Sequence, residues 1–362
     1  MIRSKLLTRL LVVAAASQLI CASMANAEPD VLDRAAVMSS RAVNAVMLAV
    51  TRAGSRLVAG GERGVILYSD DGGKSWMQAQ VPVSVSITNL NFPTARMGWA
   101  VGHSGIVLHS ADAGATWVKQ LEGRQVAQLV ISAVAKQTSG DSSDESRRQL
   151  AEAQALVTDG PDKPFFDVHF FDESIGLVVG AYGLVLATTD GGKSWSSLRQ
   201  NIHNPKGKHL YSISTIGKDV YIAGEQGALF HSRDGIATFE EVDTPYAGTF
   251  FGVLLGDKER LNVFGLRGNA YWKVDGEDWH KTETGAANTL TAGTRLKDGS
   301  LALVDAAGRI LVSRDGGISF KQVPVAKPSP LTGITQAADG ALVVSGVRGL
   351  TRVSVDQSGQ TK

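Results

Sequence analysis

Seven histidines (His103, His109, His169, His203, His209, His231 and His280) and two adjacent acidic pairs (Asp172-Glu173 and Glu240-Glu241) are the groups suited to proton transfer or metal ligation. Their spacing does not support either role. Beyond His203 and His209 no histidines share a ligand-like interval, and cysteines are not paired, so no metal is expected. A glycosidase needs two carboxylates about 5–10 Å apart across the scissile bond. Glu62 and Glu225 hold matching loop positions, but in repeats distant in the chain. Adjacent acids on a strand point to opposite faces, and acids in turns are usually solvated. No Gly-x-Ser-x-Gly elbow offers a nucleophile, so no catalytic residue and no cofactor is assigned. The patterned chemistry is cationic: Arg63, Arg267 and Arg348 each precede the second glycine of a Gly-x-x-Gly step, where Ser104, Tyr182, Gln226 and Ala307 stand in the other copies. Guanidinium groups at equivalent positions suit a carboxylate-bearing partner.

These steps belong to a longer repeat. It reads GERGVILYSDDGGKSW from Gly61, GHSGIVLHSADAGATW from Gly102, GAYGLVLATTDGGKSW from Gly180 and GEQGALFHSRDGIATF from Gly224. A worn GLRGNAYWKVDGEDW from Gly265, DAAGRILVSRDGGISF from Asp305 and GVRGLTRVSVD from Gly346 complete the set. The turn aspartates Asp71, Asp112, Asp190, Asp234, Asp275, Asp315 and Asp356 mostly recur at about 41 residues, with four short apolar stretches per unit. That is the arithmetic of an all-β, seven-bladed propeller. The turns have the Asp-box (BNR) form S-x-D-x-G-x-[ST]-W. Asp71, Asp112, Asp190, Asp234 and Asp315 are expected to accept backbone N–H groups, while Trp76, Trp117 and Trp195 pack between neighbouring sheets. The last unit is too short for a fourth strand, so Ala35 to Ala42 is expected to supply one and close the ring.

In a four-stranded blade the Gly-x-x-Gly loops lie opposite the Asp-boxes. The three arginines are expected on blades one, six and seven, contiguous around the ring and forming one basic crescent, with Tyr182 and Gln226 on the same face. Glu62 partly offsets the charge of Arg63. An insertion over Gly123 to Pro164 separates blades two and three. Val126, Leu129, Val130, Ala133 and Val134, then Leu150, Ala153, Leu156 and Val157, recur at helical spacing around a polar break. A helical arm that docks a partner and a mobile surface loop are both compatible with it. The stretch His203 to His209 reads as a solvated turn.

The chain has 362 residues, 40 of them Gly, with 36 Lys+Arg against 35 Asp+Glu. Glycine exceeds its usual share of about 7%, consistent with many tight turns. Arg3, Lys5 and Arg9, an apolar run from Leu10 to Ile20 and the small-x-small site Ala25-Asn26-Ala27 make residues 1–27 an export signal, leaving 28–362 as the propeller. A lipoprotein signal at Cys21 lacks the small residue needed immediately upstream. Cleavage removes the only cysteine and leaves slightly more acid than base, which excludes disulfides and a general affinity for nucleic acid. No later apolar run reaches the roughly 18 residues of a membrane span. The chain is therefore read as exported and periplasmic, with secretion or a thylakoid lumen as alternatives.

The export signal, the seven Asp-box units and the arginines Arg63, Arg267 and Arg348 together resemble the photosystem II stability/assembly factor family. The resemblance covers most of the mature chain. It implies a non-enzymatic propeller outside the cytoplasm that docks a membrane-protein client through an arginine patch, here a photosystem component or an envelope transporter. The insertion and the non-arginine residues Ser104, Tyr182, Gln226 and Ala307 depart from the family's pattern. Asp-box repeats are also similar to those of sialidases, whose Phe/Tyr-Arg-Ile-Pro element and six-bladed ring do not match this sequence. A carbohydrate-binding or glycoside-hydrolysing propeller is the alternative function.

Overall fold

A computed structural model describes residues 30–256 and 260–354; the expected export signal, Cys21 and Asp356 lie outside them. Seven antiparallel sheets follow one another along the chain, each a simple meander. Their innermost strands are Met47–Ala53, Ile87–Asn91, Phe165–Phe170, Leu210–Ile216, Phe250–Leu255, Leu290–Arg295 and Leu331–Gln336. Each of these packs beside the next, and the seventh packs beside the first. The result is a closed seven-bladed propeller.

Burial explains the strand patterns. The second strand of a blade is covered on both faces by neighbouring sheets, so Gly98–Gly102, Gly176–Gly180 and Leu342–Gly346 are buried at every residue. A short uninterrupted apolar run is the sequence form of such a strand. Outermost strands are short and wet, as in Glu240–Glu241. The apolar core is divided among the seams between blades. Val58, Ile87, Ile106 and Trp117 fill the seam between blades one and two, and Met47, Leu57, Ala337 and Val343 fill that between seven and one.

Every Asp-box aromatic enters the seam shared with the preceding blade. Trp117, Trp195 and Phe239 are buried there, and Trp76, Trp279 and Phe320 are partly buried. The indole N–H of Trp117 donates to Gly114 O at 3.0 Å. Asp71 accepts from Ser69 Oγ at 2.8 Å, Lys74 N at 3.0 Å and Ser75 N at 2.9 Å through one oxygen, and from Ser75 Oγ at 2.6 Å through the other. Asp112, Asp190, Asp234 and Asp315 repeat this arrangement with the hydroxyl residues at the same offsets. The worn copy does not: Asp275 accepts from its own neighbour Gly276 N at 3.1 Å.

Two features differ from expectation. Ala35 to Ala42 forms no strand, and the seventh sheet, Leu331–Gln336, Leu342–Gly346 and Gly349–Val353, has three strands among the described residues. Leu32 and Ala36 are instead buried with Val81, Val83 and Ile106 in the seam between blades one and two. Ala36 N donates to Val81 O at 3.0 Å, while Ala42 at the other end of the segment is buried in the seam between blades seven and one without forming a strand. The insertion, left open between arm and loop, folds into two helices, α1 (Gly123–Gln137) and α2 (Asp144–Asp159). Glu122 and Gln125 form a capping box on α1, and Ser143 Oγ caps α2 by accepting from Ser146 N at 3.2 Å. Val126, Val130, Val134, Ala153 and Leu156 join the core between blades two and three. Arg199 of blade three also pairs with Glu152 at 2.9 Å, so the hairpin is docked on the ring.

Candidate docking face

In the first five blades the residue before the second glycine sits at a loop tip in the left-handed region. Arg63, Ser104, Tyr182, Gln226 and Arg267 have φ of 55°, 58°, 55°, 54° and 57°. Each costs about 1 kcal/mol or more relative to an ordinary conformation. The following glycine is obligatory at Gly64, where φ is 75° and a Cβ would lie 2.1 Å from Val83 O. Blade six uses another device: buried Asp305 accepts from Ala307 N at 3.0 Å, Arg309 N at 2.8 Å and Arg309 Nε at 2.7 Å. In blade seven, Gly346 pairs directly with Gly349 across a two-residue turn.

Arg63, Arg267 and Arg348 are exposed, and none makes an ion pair among the described residues. The contiguous trio is corrected. Arg267 lies on blade five, because Phe250–Leu255 and Leu261–Gly265 form the fifth sheet, and blade six places Ala307 between it and Arg348. Arg309 does not fill the gap, since its guanidinium is bound to Asp305 and to Gly285 O at 3.3 Å. Arg348 and Arg63 do stand on neighbouring blades, seven and one. Tyr182 and Gln226 are exposed on blades three and four.

A second ring of positions on this face escaped the sequence reading. The second residue of each innermost strand is bulged out of its ladder: Leu48, Thr88, Phe166, Tyr211, Phe251, Thr291 and Thr332. A bulge re-aims the side chain it carries. On blades three to five the bulged residues are aromatic and touch in series. Phe166 stacks on Tyr211 at 4.8 Å between centroids, and Tyr211 meets Phe251 edge-on at 5.1 Å. His209 links this row to Tyr182 at 4.9 Å, and Lys163 Nζ lies 5.2 Å over the Tyr182 ring. Burial, with the Glu225 charge, pushes the Tyr211 phenol up. The clue lay in three aromatics directly following the first strand residues Phe165, Leu210 and Phe250. Strict alternation hides it, because a bulge breaks the period of two.

The strongly shifted groups elsewhere serve the framework. Asp167 is buried and accepts from Asn89 Nδ2 at 2.6 Å, Ile213 N at 2.6 Å and Val168 N at 2.8 Å. Burial pushes its carboxyl up to about 7 despite those donors. His169, facing Thr215 Oγ1 at 3.0 Å, is pushed down to about 4 by burial. The acidic pairs stay apart from both. Asp172 caps its own turn through Ser174 N and Ile175 N at 2.7 Å, and Glu241 pairs with Lys208 at 3.0 Å. Glu62 and Glu225 sit on blades one and four. Among the described residues no group of three His, Cys, Asp or Glu side chains could hold a metal. No helix among them is long and apolar enough to cross a membrane.

Residues 43–137 and 150–315 match the family described as Photosynthesis system II assembly factor YCF48. The gap between the matched segments covers the turn of the helical hairpin and the start of α2. The chain is 29% identical over 154 residues to the Photosystem II assembly lipoprotein Ycf48 of Synechococcus sp. (strain CC9902), an alignment spanning 42% of this chain and 46% of that relative. A solved structure of YCF48 bound to D1 peptide superposes with a TM-score of 0.63 at 16% identity, covering 86% of this chain and 94% of that one. The GH74 enzyme of Niastella koreensis reaches a TM-score of 0.61 at 12% identity, covering 88% of this chain and 53% of that one, so the propeller fold alone does not separate binders from hydrolases. The family match extends over most of the repeats described above, and the chain belongs to the photosynthesis system II assembly factor YCF48 family.

Proposed function

We propose that this protein is a non-catalytic, exported scaffold that docks a membrane-protein client through its Gly-x-x-Gly face. In this reading residues 1–27 direct export to the periplasm and the remainder is the functional propeller. The observation that carries it is the conformation of the loop tips. Non-glycine side chains are kept at left-handed positions where glycine would be unstrained, and two of them, Arg63 and Arg267, are exposed arginines without an ion pair among the described residues. Such strain concentrates where side chains serve recognition. Arg348 adds a third guanidinium beside Arg63, and Tyr182, Gln226 and the aromatic row supply apolar and polar contacts. The face therefore suits a peptide segment carrying carboxylates next to apolar side chains. A relative with this fold has been solved with a D1 peptide bound, which supports a peptide-like client.

Affinity co-purification from detergent-solubilised envelopes tests this. Wild type should retain a membrane protein that the Arg63→Glu, Arg267→Glu, Arg348→Glu variant, folded by circular dichroism, does not. The captured protein identifies the client. Equal recovery by both proteins would remove the arginines from the docking face.

A further inference from the structure

A cavity lies at the opposite end of the innermost strands. It has a volume of about 740 Å³, within the usual range of small-ligand sites. Four neighbouring blades line it, blade two through the loop Phe92 to Ala95 and the other three through one repeated element. Thr294-Arg295, Thr335-Gln336 and Thr51-Arg52 occupy the same two ladder positions on blades six, seven and one, opposite Ala302-Leu301, Val343-Leu342 and Val58-Leu57. Blades two, three, four and five carry Asn91-Phe92, His169-Phe170, Ser214-Thr215 and Leu254-Leu255 there, so the pairing of a threonine with a guanidinium or amide side chain recurs on blades six, seven and one.

The cavity lining includes no acid among the described residues. Asp298, between Lys297 and Gly299, is turned back to accept from Ser300 N at 3.0 Å. Glu173 meets the lining residue Thr94 at 3.3 Å but belongs to the neighbouring loop of blade three. The guanidinium of Arg52 makes no ion pair among the described residues, whereas Lys297 Nζ is engaged by Ala337 O at 3.3 Å and Ala338 O at 2.7 Å. The guanidinium fork of Arg52 beside hydroxyl and amide donors matches the oxygens of carboxylates and phosphates.

We propose that this cavity binds a small oxyanion, a free carboxylate or phosphate compound, at a site separate from the client-docking face. Isothermal titration with citrate and with inorganic phosphate, at ionic strength held constant with NaCl, tests it on the full mature chain. Saturable heat is expected for at least one probe, and which one responds assigns the ligand to the carboxylate or the phosphate class. Arg52→Gln should weaken binding by about tenfold, the equivalent of one charge-assisted hydrogen bond. Arg63→Gln with Arg348→Gln should leave it unchanged. Absence of saturable heat from both probes, or equal affinity in wild type and Arg52→Gln, overturns the proposal.

Discussion

Thr332 Oγ1 on blade seven donates to the Met47 carbonyl of blade one at 2.6 Å, joining the last sheet to the first across the seam where the chain closes. The same bond recurs where the bulged residue is threonine: Thr88 reaches Phe165 O at 2.7 Å and Thr291 reaches Leu331 O at 2.8 Å. The ring is thus closed by the device that joins its interior seams. Arg352 adds a second link, donating from Nε to Gly72 O at 3.0 Å. These bonds secure the seam beside the last blade, three-stranded among the described residues, that an exchanged strand is expected to close.

Thr332→Val keeps the shape and the branched Cβ but leaves Met47 O without its donor. The expected cost is about 1–2 kcal/mol, that of an orphaned part-buried acceptor. Thr332→Ser should recover most of it. Urea unfolding of the three proteins provides the comparison, and equal midpoints would show that the seam does not depend on this bond.

Asp167 and His169 make opposite contributions to the pH dependence of stability. The folded pKa of Asp167, about 7, lies above its ordinary 3.8, so its charged form is disfavoured in the fold and stability rises as pH falls from about 7 towards 4. The folded pKa of His169, about 4, lies below its ordinary 6.5, so stability falls as pH drops through the same window. These two slopes oppose each other, and His109, also lowered by burial, adds to that of His169. His109→Gln with His169→Gln should uncover a protein that becomes more stable on acidification from pH 7 to 4.5. Chemical denaturation at several pH values reads this directly, and a variant that still loses stability there contradicts the assignment.

The intact Asp-boxes act further towards acid. The Ser194 hydroxyl, then its N–H, holds Asp190 at about 2. For Asp315, burial works in the other direction, but the hydroxyls of Ser313 and Ser319 prevail and also give about 2. Carboxyls depressed in the fold contribute stability above their ordinary 3.8, which is lost as pH falls from about 4 through 2. Asp190→Ala should lower the melting temperature at pH 6 and flatten its decline between pH 4 and 2. Asp275→Ala should do little, because its carboxylate lacks the hydroxyl partners. Similar losses at both positions would mean that the turns do not depend on these hydrogen bonds.

How much was legible in the sequence depends on how local each feature is. The hydrogen-bond partners of Asp71 lie between Ser69 and Ser75, so the repeat spells out its own turn. The helical spacing of Val126, Val130 and Val134 likewise carries over into α1. The row formed by Phe166, Tyr211 and Phe251 needs three separate bulges and the ring geometry to bring it together, and the aromatic after each first strand residue signals it only once those bulges are known. Placing Ala35 to Ala42 required knowing which seam would compete for Leu32 and Ala36. The gap in the arginine crescent is legible in the repeat order, because the copy from Gly265 that carries Arg267 is the fifth of the seven, and the sheet topology agrees.

Strain at the loop tips can be separated from recognition at Arg267. With φ of 57°, this residue gains from replacement by glycine, which removes the Cβ clash, although glycine's larger unfolded-state entropy offsets part of the gain. Arg267→Gly should therefore be about 1 kcal/mol more stable than Arg267→Ala. Arg348, equally exposed, is not among the residues with positive φ, so there glycine should be less stable than alanine. Thermal unfolding of the four variants gives both differences, and client capture with the same proteins shows whether binding falls on removal of either guanidinium. Opposite stability orders together with a shared loss of capture would mean that the left-handed tip is retained for the side chain it presents. The same stability order at both positions would remove backbone strain from the argument for the docking face.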